Sequence, residues 1–222
     1  TVKAIAARNG LFASFMPKPL ADQPGSGLHV NISLLRDGKN LFEGELAPGS
    51  EGAHFVAGVL AHARELTAFC NPVPNSYARL GANEAPLYVS WSRQNRSQLV
   101  RLPSARGELC RVELRGPDPA GNPYLVIGLI LAAGLDGIQR ELPLPEAVNR
   151  NLFLPSAAAG LECLPRTLRE AITVAAQSEF ISRELPIALQ NKYFQYQTLL
   201  CHGFESAPDP EAWDRANGFL II

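Results

Sequence analysis

Two short stretches of this chain place reactive side chains on one face at strand spacing. In Gly25 to Leu34, "GSGLHVNISL", His29, Asn31 and Ser33 alternate with Leu28, Val30, Ile32 and Leu34. Successive side chains of a strand point to opposite faces, so the aliphatic set buries together and the imidazole, amide and hydroxyl share the other side. In "CRVELR", Arg111, Glu113 and Arg115 alternate with Cys110, Val112 and Leu114 in the same way. A polar outer face can be merely solvated, and a carboxylate between two guanidinium groups can be a simple ion-pair ladder. The chemistry open to the same residues is phosphoryl transfer. Glu113 would then be a metal ligand, His29 would complete the metal site through an imidazole nitrogen, and the arginines would hold the phosphates that the metal bridges.

The surrounding composition favours anionic ligands. From Arg79 to Arg115 there are seven arginines, three glutamates and no lysine. Guanidinium offers a rigid fork of donors that matches phosphate and carboxylate oxygens two at a time, which a site for a polyphosphate and a carboxylate substrate requires.

These residues need elements to position them. Residues 1 to 9 read as the end of a helix stopped by Gly10, followed by a short strand, "LFASFM", before Pro17 and Pro19. "RDGKN" is a hairpin turn leading to "LFEG". Phe55, Val56, Val59, Leu60, Ala63 and Leu66 recur at helical spacing, predicting one amphipathic helix from Gly52 to Phe69. Three strands follow, in "PLYVSW", "SQLVRLP" and "ELCRVELRG". Asp118-Pro119 is expected to open an apolar helix through Ala133, because aspartate caps a helix start and proline suits its first turn. After a proline-spaced connector, Arg166 to Gln177 and Glu179 to Leu200 read as helices, the second interrupted at Pro186. His54, His62 and His202 read as surface or hydrogen-bonded core histidines, and Trp91 and Trp213 as packing residues.

With 46% hydrophobic residues and a net charge of -1, the 222-residue chain is an ordinary globular one with no bulk attraction to nucleic acid. Its most apolar run, Tyr124 to Ala133, is about half of what a bilayer crossing needs, so no membrane span is expected. Cys70, Cys110, Cys163 and Cys201 are widely spaced, with no zinc-type pair, and the opening lacks the pattern of a secretory signal. Reduced thiols and a cytoplasmic location are the expectation. The chain begins without methionine in what reads as mid-helix, so it is expected to be a fragment of a longer protein.

A family resemblance rests on motifs spread along residues 3 to 155 in a fixed order. They are "FMPKP" at Phe15, "GSGLHVNISL" at Gly25, "NPVPNSYARL" at Asn71, "EAP" at Glu84, "NRS" at Asn95, "VRLP" at Val100, "RVELRGPDPAGNPYL" at Arg111 and "AGLDGI" at Ala133. Together they resemble the catalytic motifs of glutamine synthetase. The resemblance implies an α+β fold of the glutamine synthetase/guanido kinase type, a curved antiparallel sheet backed by helices with a helical C-terminal tail. Residues 1–155 would be a partial catalytic domain and 156–222 the helical C-terminal part of the same domain.

The roles it implies are specific. His29 and Glu113 would ligate Mg2+ or Mn2+. Ser33, Arg96, Arg101 and Arg111 would contact ATP, while Gly25, His29, Arg79, Glu84 and Arg115 would hold L-glutamate. Arg101, Glu84 and Arg115 would serve catalysis, with Glu84 helping to receive ammonium. The expected reaction joins ammonia to the glutamate side chain. Two rival readings are a ligase of the same kind using another amine, and a non-catalytic relative with an assembly or regulatory role. Three departures accompany the likeness. The family's other metal-ligating carboxylates and its small N-terminal domain lie upstream of residue 1, so the chain is expected to be inactive alone. The parent would be a ring-shaped homo-oligomer and this piece a monomer or small oligomer. Only Gly81 to Asn83 separate "NSYARL" from "EAP", one residue fewer than in the best-known bacterial enzymes. Phe153 stands where some bacterial enzymes carry a regulated tyrosine, so adenylylation there is not expected.

Overall fold

The structure, a computed structural model, describes residues 1–218. The alternation around His29 becomes β1 (Val30–Ile32), which pairs antiparallel with β6 (Val112–Leu114). β6 pairs antiparallel on its other edge with β5 (Val100–Leu102), and β5 pairs with β4 (Trp91–Arg93), giving the order β1-β6-β5-β4. The β4–β5 pair is parallel, in place of the fully antiparallel sheet expected. Strands of three residues rise only about 10 Å, so the connecting segment 94–99 is long enough to return to the start of its neighbour. Asn95 and Gln98 staple that segment by donating to the carbonyls of Asn149, Arg150 and Val148.

A separate hairpin joins β2 (Leu35–Arg36) to β3 (Lys39–Asn40) through Asp37 and Gly38, whose φ values of 50° and 76° are those of a tight two-residue turn. Its second strand thus ends before "LFEG". The segment Leu11 to Met16 forms no strand among the described residues. It follows α1 (Val2–Arg8), a helix that buries none of its residues.

The apolar sheet face, with Val30, Ile32, Val100, Leu102, Val112 and Leu114, packs into one core with the helices behind it. The expected helix 52–69 is two, α2 (Glu51–Ala61) and α3 (Ala63–Cys70), broken at His62 with φ -97° and ψ 4°. α4 (Pro74–Arg79) follows, a helix not expected from the sequence. The long apolar helix, α5 (Pro123–Gln139), starts later than expected, because Asn122 accepts from the backbone of Tyr124 and Leu125 and caps it. Asp118 instead accepts from Ala120 N and from the Asn71 amide, fully buried. α6 (Leu168–Ala176), α7 (Glu179–Glu184) and α8 (Ile187–Glu205) match the expected C-terminal helices, and α9 (Pro210–Gly218) adds one that was not foreseen. Residues after 155 return to the sheet through a bridge between Tyr88 and Cys163.

Gly58 on α2 and Gly137 on α5 face each other, so the two helices approach backbone to backbone. A Cβ on Gly58 would overlap the Ala133 carbonyl and lie 2.7 Å from Gly137 Cα. Those are backbone atoms of a rigid helix and cannot step aside. Beside this crossing, the buried His62 ring stacks on Phe180 at 3.9 Å. Its Nδ1 lies 2.7 Å from Glu65 Oε2 and its Nε2 lies 2.8 Å from Asp136 Oδ2. Arg140 and Arg183 donate to the same Asp136 at 3.0 and 2.8 Å. Burial opposes protonation of His62, but its bonds to Glu65 and Asp136 outweigh it and raise its pKa above the ordinary 6.5. For Asp136, burial is likewise outweighed by His62 and Arg140, and its pKa is lowered.

Replacing Gly58 with alanine is therefore expected to destabilise the fold by about 2–3 kcal/mol through overpacking. In a melting experiment this lowers Tm by roughly 5–10 °C, and an unchanged Tm would mean the two helices are free to separate. A histidine with a raised pKa contributes stability fully below its unfolded pKa and loses it as pH rises through the folded value. Urea unfolding at about pH 6 and about pH 8.5 should show wild type weakening across that window, with His62→Gln flattening the difference.

Candidate functional site

Glu113 is the centre of the polar sheet face. It lies on the inner strand β6, directly opposite Arg101 on β5 and Asn31 on β1. Residues opposite one another or on the diagonal of a sheet are within side-chain reach. Arg101 Nη1 donates to Glu113 Oε2 at 3.0 Å, and Arg115 Nη1 lies 3.7 Å from the same oxygen. His29 Nδ1 lies 3.2 Å from the other oxygen, Oε1. Arg101 is held from a second side, its Nε donating to the Gln94 carbonyl at 3.0 Å. Burial alone would raise the Glu113 carboxyl, but the hydrogen bond from Arg101 and the Arg115 charge hold it below its ordinary value. His29 moves down, through burial first and the Arg115 charge second, so its imidazole is neutral at physiological pH.

Next to this cluster opens a polar cleft of about 410 Å³, lined by Gly25, His29, Arg79, Glu84 and Arg115 among others. These are the residues assigned from sequence to an amino-acid substrate. Its floor is cationic: Arg79 and Arg115 are 4% and 3% exposed. Arg79 sits at the end of α4 and donates to the backbone carbonyls of Gly116 and Arg115 at 2.8 and 3.3 Å. Arg115 Nη2 donates to the Glu84 carbonyl at 3.2 Å, while its buried Nε has no partner. The glycines of the cleft are there for close approach. A Cβ on Gly25 would overlap the Pro17 carbonyl, and one on Gly27 would come within 2.5 Å of Arg79 Nη2.

The remaining candidates lie beside the cleft on the same sheet face or its loops. Arg111 donates from Nε to Asn31 Oδ1 at 3.1 Å, and Ser33 Oγ donates to the Cys110 carbonyl at 2.8 Å. Arg96 is exposed on the loop between β4 and β5, where its charge acts on Arg115. Sequence reasoning missed the positioning groups. Asn71 donates to the Gly116 carbonyl that also receives Arg79, and Gln94 orients Arg101 through a backbone oxygen that no side-chain pattern reveals.

An imidazole nitrogen and a carboxylate oxygen close together are donor types that a divalent ion accepts. With His29 neutral and Glu113 ionised, both are in the protonation state for ligation. No third His, Cys, Asp or Glu joins them among the described residues. The pair thus has the donor types and protonation states that two ligands on one side of a divalent-metal site require.

The chain has clear relatives. The family profile described as glutamine synthetase, catalytic domain, matches residues 1–216. A glutamine synthetase from Methanosarcina mazei is 47% identical over 192 residues, covering 83% of this chain and 43% of that protein. One from Staphylococcus epidermidis is 43% identical over 206 residues, covering 89% of this chain and 46% of the relative. The chain thus spans about half the length of these proteins. Among solved structures, a GmaS/ADP complex superposes with a TM-score of 0.83 at 34% identity, over 97% of this chain and 51% of that one. A GmaS structure without ligand also superposes with a TM-score of 0.83, at 33% identity. The profile, sequence and structural matches agree, and the chain belongs to the glutamine synthetase catalytic-domain family.

Proposed function

We propose that the complete protein joins ammonia to the side-chain carboxylate of L-glutamate using ATP, and that this chain carries part of its active site. The observation that carries the reading is the cleft floor, where buried Arg115 keeps an unpaired Nε beside Arg79 and His29. An unsatisfied buried guanidinium donor calls for an anionic oxygen. Glutamate and a transferring phosphoryl group both bring one.

A carboxylate is a poor electrophile, because its oxide is a very poor leaving group at neutral pH. Transfer of the terminal phosphoryl group of ATP to a glutamate side-chain oxygen gives ADP and a γ-glutamyl phosphate. Ammonia then attacks the acyl carbon, the C–O bond to phosphate breaks, and glutamine, phosphate and a proton result. Arg115 and Arg101 stabilise the charge that develops on the phosphoryl oxygens. Ser33, Arg96 and Arg111 line the nucleotide's side of the sheet, and the ADP named in the related GmaS complex supports a nucleotide substrate. Gly25, His29 and Arg79 shape the glutamate cleft, and Glu84 at its rim attracts ammonium and takes up the proton. A divalent ion held by His29 and Glu113, Mg2+ or Mn2+, supplies neutralisation of phosphate charge when bound.

A second reading concerns the amine. Ala82, Asn83 and Glu84 line the cleft where an acceptor would enter, and the loop they belong to is the short one. For the parent we infer a ring-shaped homo-oligomer in the cytoplasm. Among the described residues, no helix is long and apolar enough to cross a membrane.

Phosphate release from magnesium-ATP tests the reading. The complete protein should release phosphate with glutamate and ammonia together and far less when either is withheld, and the 222-residue chain alone should release none. Release that responds to methylamine and not to ammonia would shift the assignment to the second reading, and silence with every amine would remove the ligase. In the complete protein, Arg101→Lys should lower kcat at least about tenfold, because one ammonium cannot meet both Glu113 and the Gln94 carbonyl. Wild-type turnover in that variant would take Arg101 out of the site.

A further inference from the structure

A second cavity, of about 210 Å³, lies between the start of α4, the start of α5, and helices α8 and α9. It shares no lining residue with the polar cleft. α4 runs between the two, with Pro74 at the cavity and Arg79 at the cleft. Three aromatic rings wall the cavity, from Tyr193, Tyr196 and Trp213, and Pro72, Pro74 and Leu200 complete its apolar surface. The phenol of Tyr193 is already engaged, donating to the Ala68 carbonyl at 2.8 Å.

Four polar side chains interrupt this lining: Asn122 caps α5 and Asn217 donates to the Trp213 carbonyl, and Gln197 and Asp214 add two further acceptors. Gln197, only 3% exposed, leaves its Oε1 without any hydrogen-bond partner. A buried amide oxygen left unpaired costs about 1–3 kcal/mol, so such an atom on a cavity wall marks where a donor is wanted. Asp214, 8% exposed, adds a carboxylate supported by the Asn75 side chain. Burial pushes its pKa up, so a cation in contact with it is favoured. Planar aromatic walls take an aromatic ring, and clustered acceptors take a positively charged donor.

We propose that this cavity binds a small aromatic amine, its ring between the aromatic side chains and its ammonium donating to Gln197 Oε1 and the Asp214 carboxylate. The charge sets the specificity: a neutral or anionic compound of the same shape leaves one or both acceptors unsatisfied.

The test uses 2-phenylethylamine as probe, with 2-phenylethanol and phenylacetate as isosteric controls. Trp213 lines the cavity, so its fluorescence reports occupancy; Trp91 is remote, donating from Nε1 to the Pro145 carbonyl, and Trp213→Phe should abolish the signal. Saturation-transfer NMR gives an independent reading. The amine should bind saturably, with Kd on the order of a millimolar or tighter, and phenylacetate at least about tenfold more weakly. Gln197→Met keeps the side chain's length and removes its acceptor, and should weaken binding roughly fivefold. Asp214→Asn should weaken it at least about tenfold. Should Asp214→Asn disturb α9, Gln197→Met alone decides, with unchanged circular dichroism and Tm as its control. Absence of saturable binding, equal affinity for amine and acid, or wild-type affinity in the folded Gln197→Met protein would each overturn the proposal.

Discussion

The polar face of the sheet is organised by one carboxylate. Glu113 sits on the inner strand β6, so its neighbours on both sides are set by ladder hydrogen bonds and not by flexible loops. Arg101, Arg115 and His29 converge on it from three directions. Without that charge, the buried Arg115 would face Arg101 uncompensated, and burial together with the Arg101 charge already lowers the Arg115 pKa. The register of three short strands therefore decides where the positive charge of the cleft can stand. A slip of one residue would turn Glu113 into the apolar core and bring Val112 or Leu114 out in its place.

Behind the sheet, packing makes that register rigid. The crossing of α2 and α5 has no side chain at its closest point, and so the helices cannot slide without backbone collision. The cleft floor is tied to the same frame through polar atoms. Asn71 follows α3 and donates both to Asp118 and to the Gly116 carbonyl, and Arg79 reaches that carbonyl from α4. Arg79 is thereby committed largely to backbone oxygens, whereas Arg115 keeps a buried Nε without a partner.

Sequence revealed the parts of this arrangement that follow a period. The alternation at 28–34 and 110–115 placed His29, Glu113 and the arginines on their faces, since pleating alone dictates it. Helices at the C-terminus were legible from apolar spacing and from Pro186. What periodicity does not encode was missed. His62 fits the helical pattern on both sides, and the break there follows from its bonds to Glu65 and to Asp136, a partner distant in sequence. Asp118 has the chemistry of a helix cap, yet Asn71 claims it and Asn122 caps instead. The parallel β4–β5 pair depends on staples from Asn95 and Gln98 to a segment some fifty residues away. The cleft itself is a property of loops meeting, where Gly25 and Gly27 matter for what they leave out.

The charge balance of the site bears on how its proposed ligands would influence one another. His29 and Glu113 present two ligand atoms, but Arg101 and Arg115 stand on the same carboxylate, so a divalent ion there would meet two neighbouring positive charges. Coulomb repulsion at such distances is worth several kcal/mol at the effective dielectric of a partly buried site. A polyphosphate reverses the sign of that interaction, because its oxygens can contact the guanidinium forks and the ion together. On the proposed reading, binding of metal and nucleotide on this face would be coupled, each raising the other's affinity by the same factor. The arginines that would make the ion unwelcome by itself would also make it tolerable once phosphate is present, and that reciprocity would rest on the register around Glu113.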